Sequence, residues 1–115
     1  MLFRLAALAA AIATLVHVAA LAVPAVNLFL YSATYPWWRH LVFIGINGSL
    51  AWLLRRPPSW LVWPYAALTV QVIYSHGLGG WEYWQRTGRI NWLDPAALVG
   101  VPILLVLLIA DRRLQ

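Results

Sequence analysis

Long apolar runs, each closed by residues that stop a helix, organise this chain. The first covers 5–31 and carries no charged side chain. The second covers 37–54 and stops at Arg55-Arg56-Pro57-Pro58, a turn in which the prolines cannot continue a helix. The third covers 60–76, with Ser59 as its expected N-cap and Gly77, Gly79 and Gly80 as its expected end. The fourth covers 95–110; Asp94-Pro95 supplies an acidic cap and a first-turn proline, and Asp111-Arg112-Arg113 closes it.

A helix that crosses a bilayer needs about 20 mostly apolar residues. The runs are continuous rather than alternating, which excludes a β-barrel, and irregular backbone cannot lie unpaired in hydrocarbon. The pattern therefore predicts an all-α integral membrane protein. It is a four-helix bundle of up-down-up-down order, one transmembrane domain over residues 1–115. The first run follows Arg4 as a secretory signal would. It is too long for a signal core and has no clean cleavage site, so it is read as an uncleaved helix, kinked at Pro24. Between the third and fourth helices, 80–89 reads as a short interfacial helix. Trp81 and Trp84 share one side of it, and Glu82 and Arg86 are spaced to pair.

Composition sharpens this picture. Hydrophobic residues make up 63% of the chain and charged residues 10%, too few to cover a soluble surface. There is no cysteine, so disulfides, thiolate metal sites and thiol nucleophiles are excluded. The net charge of +5 comes from eight arginines against Glu82, Asp94 and Asp111. These arginines flank apolar runs, where they meet lipid phosphates and orient the chain, so no nucleic-acid partner is expected. Arg4, Arg55, Arg56, Arg112 and Arg113 fall on one side, and Arg39, Arg86 and Arg89 on the other. That excess assigns both termini and the central turn to the cytoplasmic side of a plasma (inner) membrane. Four helices in this length are also the layout of small multidrug exporters. Those require a glutamate within the first helix, which this chain lacks, and no family is assigned.

Candidate chemistry falls into three groups. Tyr31, Tyr35, Trp37, Trp38, Trp81, Tyr83, Trp84 and Trp92 map to the outer side, either as an interfacial belt or as a binding surface. The candidate ligand contacts there are Trp37, Trp38, Arg39, His40, Gln71, His76, Trp81 and Trp84. At depth, His17, Asn47, Thr69 and Gln71 form an expected polar seam among the first three helices. Its bland role is interhelical hydrogen bonding; its functional one is a proton or ion path. The small faces Ala6-Ala10-Thr14 and Gly45-Ser49 would let helices approach closely. The fourth helix has no polar side chain from Ala96 to Ala110 and is expected to be a smooth wall.

Near the outer interface, His40, His76 and Glu82 are candidate acid/base groups for a lipid-like substrate. His40 and His76 could alternatively hold a metal or a haem, but no suitably spaced third ligand accompanies them, so no metal or cofactor is expected. The leading expectation is a small non-catalytic membrane protein. It would be a subunit of a larger membrane complex or a self-associating protein, or a binder of lipid or a small amphiphile through its aromatic outer face. The alternatives are a membrane enzyme and a small transporter or channel through His17, Asn47 and Gln71.

Overall fold

A computed structural model describes residues 1–31 and 35–114, apart from the side chains of Leu28, Phe29, Arg113 and Leu114. Among the described residues the fold is all-helical: five α-helices, one short 3-10 turn and no strand. The chain divides into two compact units, Met1–Pro57 and Pro58–Gln115.

The first unit contains α1 (Leu2–Ala22), α2 (Pro24–Leu30) and α3 (Trp37–Leu53). The run expected to be one helix over 5–31 is two. Val23 precedes proline and adopts extended backbone (φ −125°, ψ 102°), because the proline ring disfavours the helical region in the residue before it. Pro24 then occupies the first turn of α2, where its missing N–H costs nothing. α1 packs along α3 in antiparallel fashion: His17, late in α1, meets His40, early in α3, while Ala7 and Ala51 flank the opposite end.

The packed face is not the expected one throughout. Ala7, His17 and Ala20 are buried on α1, and His40 and Leu50 on α3. Gly45 and Ser49 are exposed, and a Cβ added at Gly45 would meet nothing within 4 Å. At about 100° per residue, His40 and Leu50 lie about 80° apart around α3 and Gly45 lies about 140° from each, so the buried stripe they define leaves Gly45 on the far side.

The second unit opens with the 3-10 turn Ser59–Leu61, continues through α4 (Val62–Thr87) and returns as α5 (Leu93–Leu114). Ser59 starts that turn and makes no side-chain cap. Two further expectations are corrected here. The helix predicted over 60–76 continues to Thr87, and 80–89 contains the last turns of α4 rather than a separate interfacial helix. A glycine in a helix interior costs only about 1 kcal/mol relative to alanine. Gly77, Gly79 and Gly80 therefore cannot end a helix whose backbone bonds are otherwise complete. The stop comes at Gly88, in the left-handed conformation (φ 65°), with its N–H on the Trp84 carbonyl at 2.8 Å.

Asp94 does not cap α5 either. The Asn91 side-chain oxygen accepts the Leu93 N–H at 3.3 Å, and Asp94 sits within the first turn. Tyr65, Thr69 and Val72 are buried at helical spacing on α4, and Leu108 is buried on α5. The hairpin closes tightly at Gly80, where an added Cβ would lie 3.1 Å from both Cβ and Oδ2 of Asp94. Gly80→Ala is therefore expected to force α4 and α5 apart at a cost of about 1–3 kcal/mol, read as a lower melting temperature in detergent. Gly79→Ala, facing open space, should be neutral or stabilise by up to about 1 kcal/mol.

Two helices are long and apolar enough to cross a membrane: Leu2–Ala22, and Leu93–Arg112 within α5. Of these apolar segments, 22% and 11% respectively is buried inside the protein. Their hydrophobic surfaces mostly face outward, unlike those of a core helix in a soluble domain. α3 has 17 residues and α4 ends in a polar third, and neither meets the same measure.

Candidate functional site

Polar and ionisable side chains gather at the end of the first unit where α1 meets α3. The break at Val23 turns α2, and Asn27 and Tyr31, four residues apart, project from one side of it. His17 comes from α1 and His40 from α3, and the two Nδ1 atoms lie 3.0 Å apart. His40 is 1% exposed and His17 9%, so these imidazoles are removed from bulk solvent.

The hydrogen bonds fix the tautomer of His40. Its Nε2–H donates to Oδ1 of Asn27 at 2.9 Å, so its lone pair is on Nδ1, facing His17. The Tyr31 hydroxyl lies 3.4 Å from His17 Nδ1. Rings enclose the pair. Phe43 stacks on His17 with centroids 5.2 Å apart and an interplanar angle of 12°; Tyr31 stacks on its ring, and Tyr35 leans on His40. At the rim, the Arg39 guanidinium lies over the rings of Tyr35 and Trp38, at 5.5 and 5.9 Å from their centroids. Burial raises the Tyr35 phenol above its ordinary pKa, and the Arg39 charge opposes part of that shift. Trp37 and Trp38 beside it are exposed.

The opposite end of the same helix pair bears a different site. A cleft of about 610 Å³ is lined by Arg4, Arg55 and Arg56, with Ala7, Leu8, Ala11 and Ala51 supplying its apolar wall. Residues 1–57 contain four arginines and no aspartate or glutamate, so no carboxylate of this unit neutralises the three guanidiniums.

No protein family, curated protein or solved structure matches the chain.

Several residues singled out in the sequence find partners other than those expected. His17 was grouped with Asn47, Thr69 and Gln71, yet it engages His40, Tyr31 and Phe43. Thr69 donates to the Tyr65 carbonyl one turn back at 2.8 Å. Oε1 of Gln71 is buried and has no hydrogen-bond partner among the described residues. His76 belongs to the second unit, where its Nδ1 contacts Oδ1 of Asp94 at 2.7 Å, with its side chain 33% exposed. Glu82 is exposed, and Arg86 reaches its backbone carbonyl at 3.3 Å. Trp81 and Trp84 pack against each other with centroids 5.2 Å apart while both remain exposed.

Sequence reading missed Asn27 as a site residue, and it placed Tyr31 only among the outer aromatic residues, as belt or binding surface. The signal was present: Asn27 is a polar residue within a long apolar run, and such residues are costly in hydrocarbon.

Proposed function

We propose that this chain is a small non-catalytic four-pass membrane protein that binds an anionic phospholipid at its arginine-lined cleft. The reading takes α1, α3, α4 and α5 as an up-down-up-down set of crossings in a plasma (inner) membrane, with both termini and the 55–58 turn cytoplasmic. Aromatic residues and arginines at the helix ends supply the reach that α3 lacks.

The observation that carries the lipid assignment is the cleft itself. Arg4, Arg55 and Arg56 converge above an alanine- and leucine-lined wall in a unit that has no carboxylate. Guanidinium groups bind phosphate oxygens in bidentate fashion, and the alanine stripe leaves room for an acyl chain. Basic pockets between transmembrane helices on the cytoplasmic side suit anionic headgroups, at about 1 kcal/mol per arginine. This moves the lipid contact from the aromatic outer face, where the sequence suggested it, to the arginine end. Trp37, Trp38, Trp81, Trp84 and Trp92 then serve as the interfacial belt. Catalysis by His40, His76 and Glu82 gains no comparable support, because each histidine is already engaged within its own unit.

The test is native mass spectrometry of protein released from nanodiscs of mixed phosphatidylglycerol and phosphatidylcholine. Phosphatidylglycerol should remain bound in preference to phosphatidylcholine. Arg4→Gln, Arg55→Gln and Arg56→Gln together should reduce its retention by roughly 100-fold, the equivalent of about 3 kcal/mol for three arginines. Equal retention of the two lipids, or capture of a stoichiometric protein partner on the cleft instead, would overturn the reading.

A further inference from the structure

The arginine cleft of the first unit is built for more than one negative charge. We infer that it selects a lipid ending in a terminal phosphate, a phosphomonoester, over the diester headgroups of other anionic phospholipids. The inference rests on the lipid-binding reading above and narrows its ligand.

Three guanidiniums from two elements line the cleft. Arg4 stands in the first turn of α1, and Arg55 and Arg56 follow α3. The turn bearing the last two is fixed. Leu54 is buried beneath it, and the N–H groups of Arg55 and Arg56 donate to the Trp52 and Leu53 carbonyls at 3.3 and 3.2 Å. The three side chains are exposed, and none of them makes a hydrogen bond or ion pair among the described residues. Other arginines differ: Arg39 and Arg112 lie over aromatic rings, and Arg86 reaches the Glu82 carbonyl. The cleft therefore presents three guanidinium forks to a ligand.

A fork donates two parallel N–H bonds along one edge between two oxygens. A phosphodiester has two non-ester oxygens, hence one such edge, and a single negative charge. A phosphomonoester has three non-ester oxygens, hence three edges, and carries about −1.5 to −2 at neutral pH. Three forks match three edges, whereas on a diester they compete for one. The charge follows the same count. No carboxylate in residues 1–57 offsets the arginines, and nearby cations favour the doubly ionised form of the phosphate.

The remaining lining indicates that the phosphate arrives on a lipid. Ala7 and Ala11, one turn apart on α1, form a low apolar wall with Leu8 and with Ala51 of α3. An acyl chain covers that wall; a water-soluble phosphate ester leaves it bare.

The experiment places the full chain in phosphatidylcholine nanodiscs that also carry equal amounts of phosphatidic acid, phosphatidylmethanol and phosphatidylglycerol, all with the same acyl chains. Retained lipid is read by native mass spectrometry. Phosphatidylmethanol differs from phosphatidic acid by one methyl group, which esterifies the third oxygen and changes the headgroup size little. Phosphatidic acid should be retained at least about 10-fold over both diesters, the equivalent of one further charge-assisted hydrogen bond. Arg4→Gln should erase most of that preference. Arg89→Gln, which removes the same charge from an exposed position in the second unit, should leave it unchanged. Millimolar glycerol 3-phosphate should not displace the bound phosphatidic acid.

Equal retention of phosphatidic acid and phosphatidylmethanol, both above phosphatidylcholine, would overturn this inference and leave the anionic-lipid reading standing. No excess of any anionic lipid over phosphatidylcholine would overturn both, and neither readout depends on a variant folding. Loss of the preference in Arg89→Gln, or displacement by glycerol 3-phosphate, would also overturn the inference, the second by showing a site for soluble phosphate esters.

Discussion

Arginine in place of Ile103 is expected to keep α5 out of the membrane. Ile103 lies near the middle of the segment Leu93–Arg112 and is 55% exposed, so its side chain is not accommodated within the protein. An arginine at the centre of a crossing helix costs about 2.5–3.5 kcal/mol on insertion scales, equivalent to roughly a 100-fold shift away from the inserted state. The check is insertion of α5 in microsomes or inverted vesicles, scored by protection from protease. The same substitution on the surface of a soluble protein would be neutral, usually within about 0.5 kcal/mol, so the experiment separates the two environments sharply. Gln85→Arg, at the exposed end of α4, serves as the control and should insert normally.

His40→Ala should be the most damaging single truncation in the first unit, costing about 3 kcal/mol. The imidazole is 1% exposed, so its removal leaves a cavity that the antiparallel α1–α3 pair cannot easily close. It also removes the donor to Asn27 and the acceptor facing His17. Losing the partner of a buried polar group adds a desolvation penalty of about 1–3 kcal/mol to the packing loss. Thermal unfolding in detergent measures the effect. His76→Ala offers the contrast: its side chain is 33% exposed, and its contact with Asp94 is solvent-screened. Its loss should cost less than about 1 kcal/mol. Equal destabilisation by the two substitutions would mean that His40 does not organise the first unit.

How far these features could be read in advance depended on whether they were local. Helical periodicity, apolar length and the proline-rich turn at 57–58 are properties of neighbouring residues. They were sufficient to predict an all-helical fold and a break between α3 and α4. Helix ends were harder where two weak signals competed. Three glycines near position 79 looked like a stop, but their combined propensity cost is smaller than that of abandoning backbone hydrogen bonds, and the helix runs on to Gly88. At the other extreme, Val23-Pro24 looked like a kink and is a full break, because the residue before the proline left the helical region altogether.

The histidine site was legible only in part. His17 and His40 both stand out in apolar sequence, and each drew attention for the cost of burying an imidazole. Their pairing depends on which face of α1 meets which face of α3, and on α2 folding back to bring Asn27 to His40. No spacing along one helix encodes that. Height in the membrane suggested His40 with His76, whereas side-chain bonding gives His40 to His17 and His76 to Asp94. The arginine cleft was legible as charge but not as a cavity. Arg4, Arg55 and Arg56 were assigned to one side from sequence, and it is the antiparallel run of α1 and α3 that converges them.

The central claim is that the chain crosses the membrane repeatedly, with the 55–58 turn inside and the α4–α5 connection outside. Because the chain contains no cysteine, single-cysteine variants give an unambiguous test. Ser59→Cys and Gln85→Cys, expressed separately, would be treated on intact spheroplasts with a membrane-impermeant maleimide. The account predicts that Gln85→Cys is labelled at once and Ser59→Cys only after permeabilisation. Labelling of both positions from outside would show that α4 does not cross between them, and labelling of Ser59→Cys alone would reverse the orientation; either result contradicts the account.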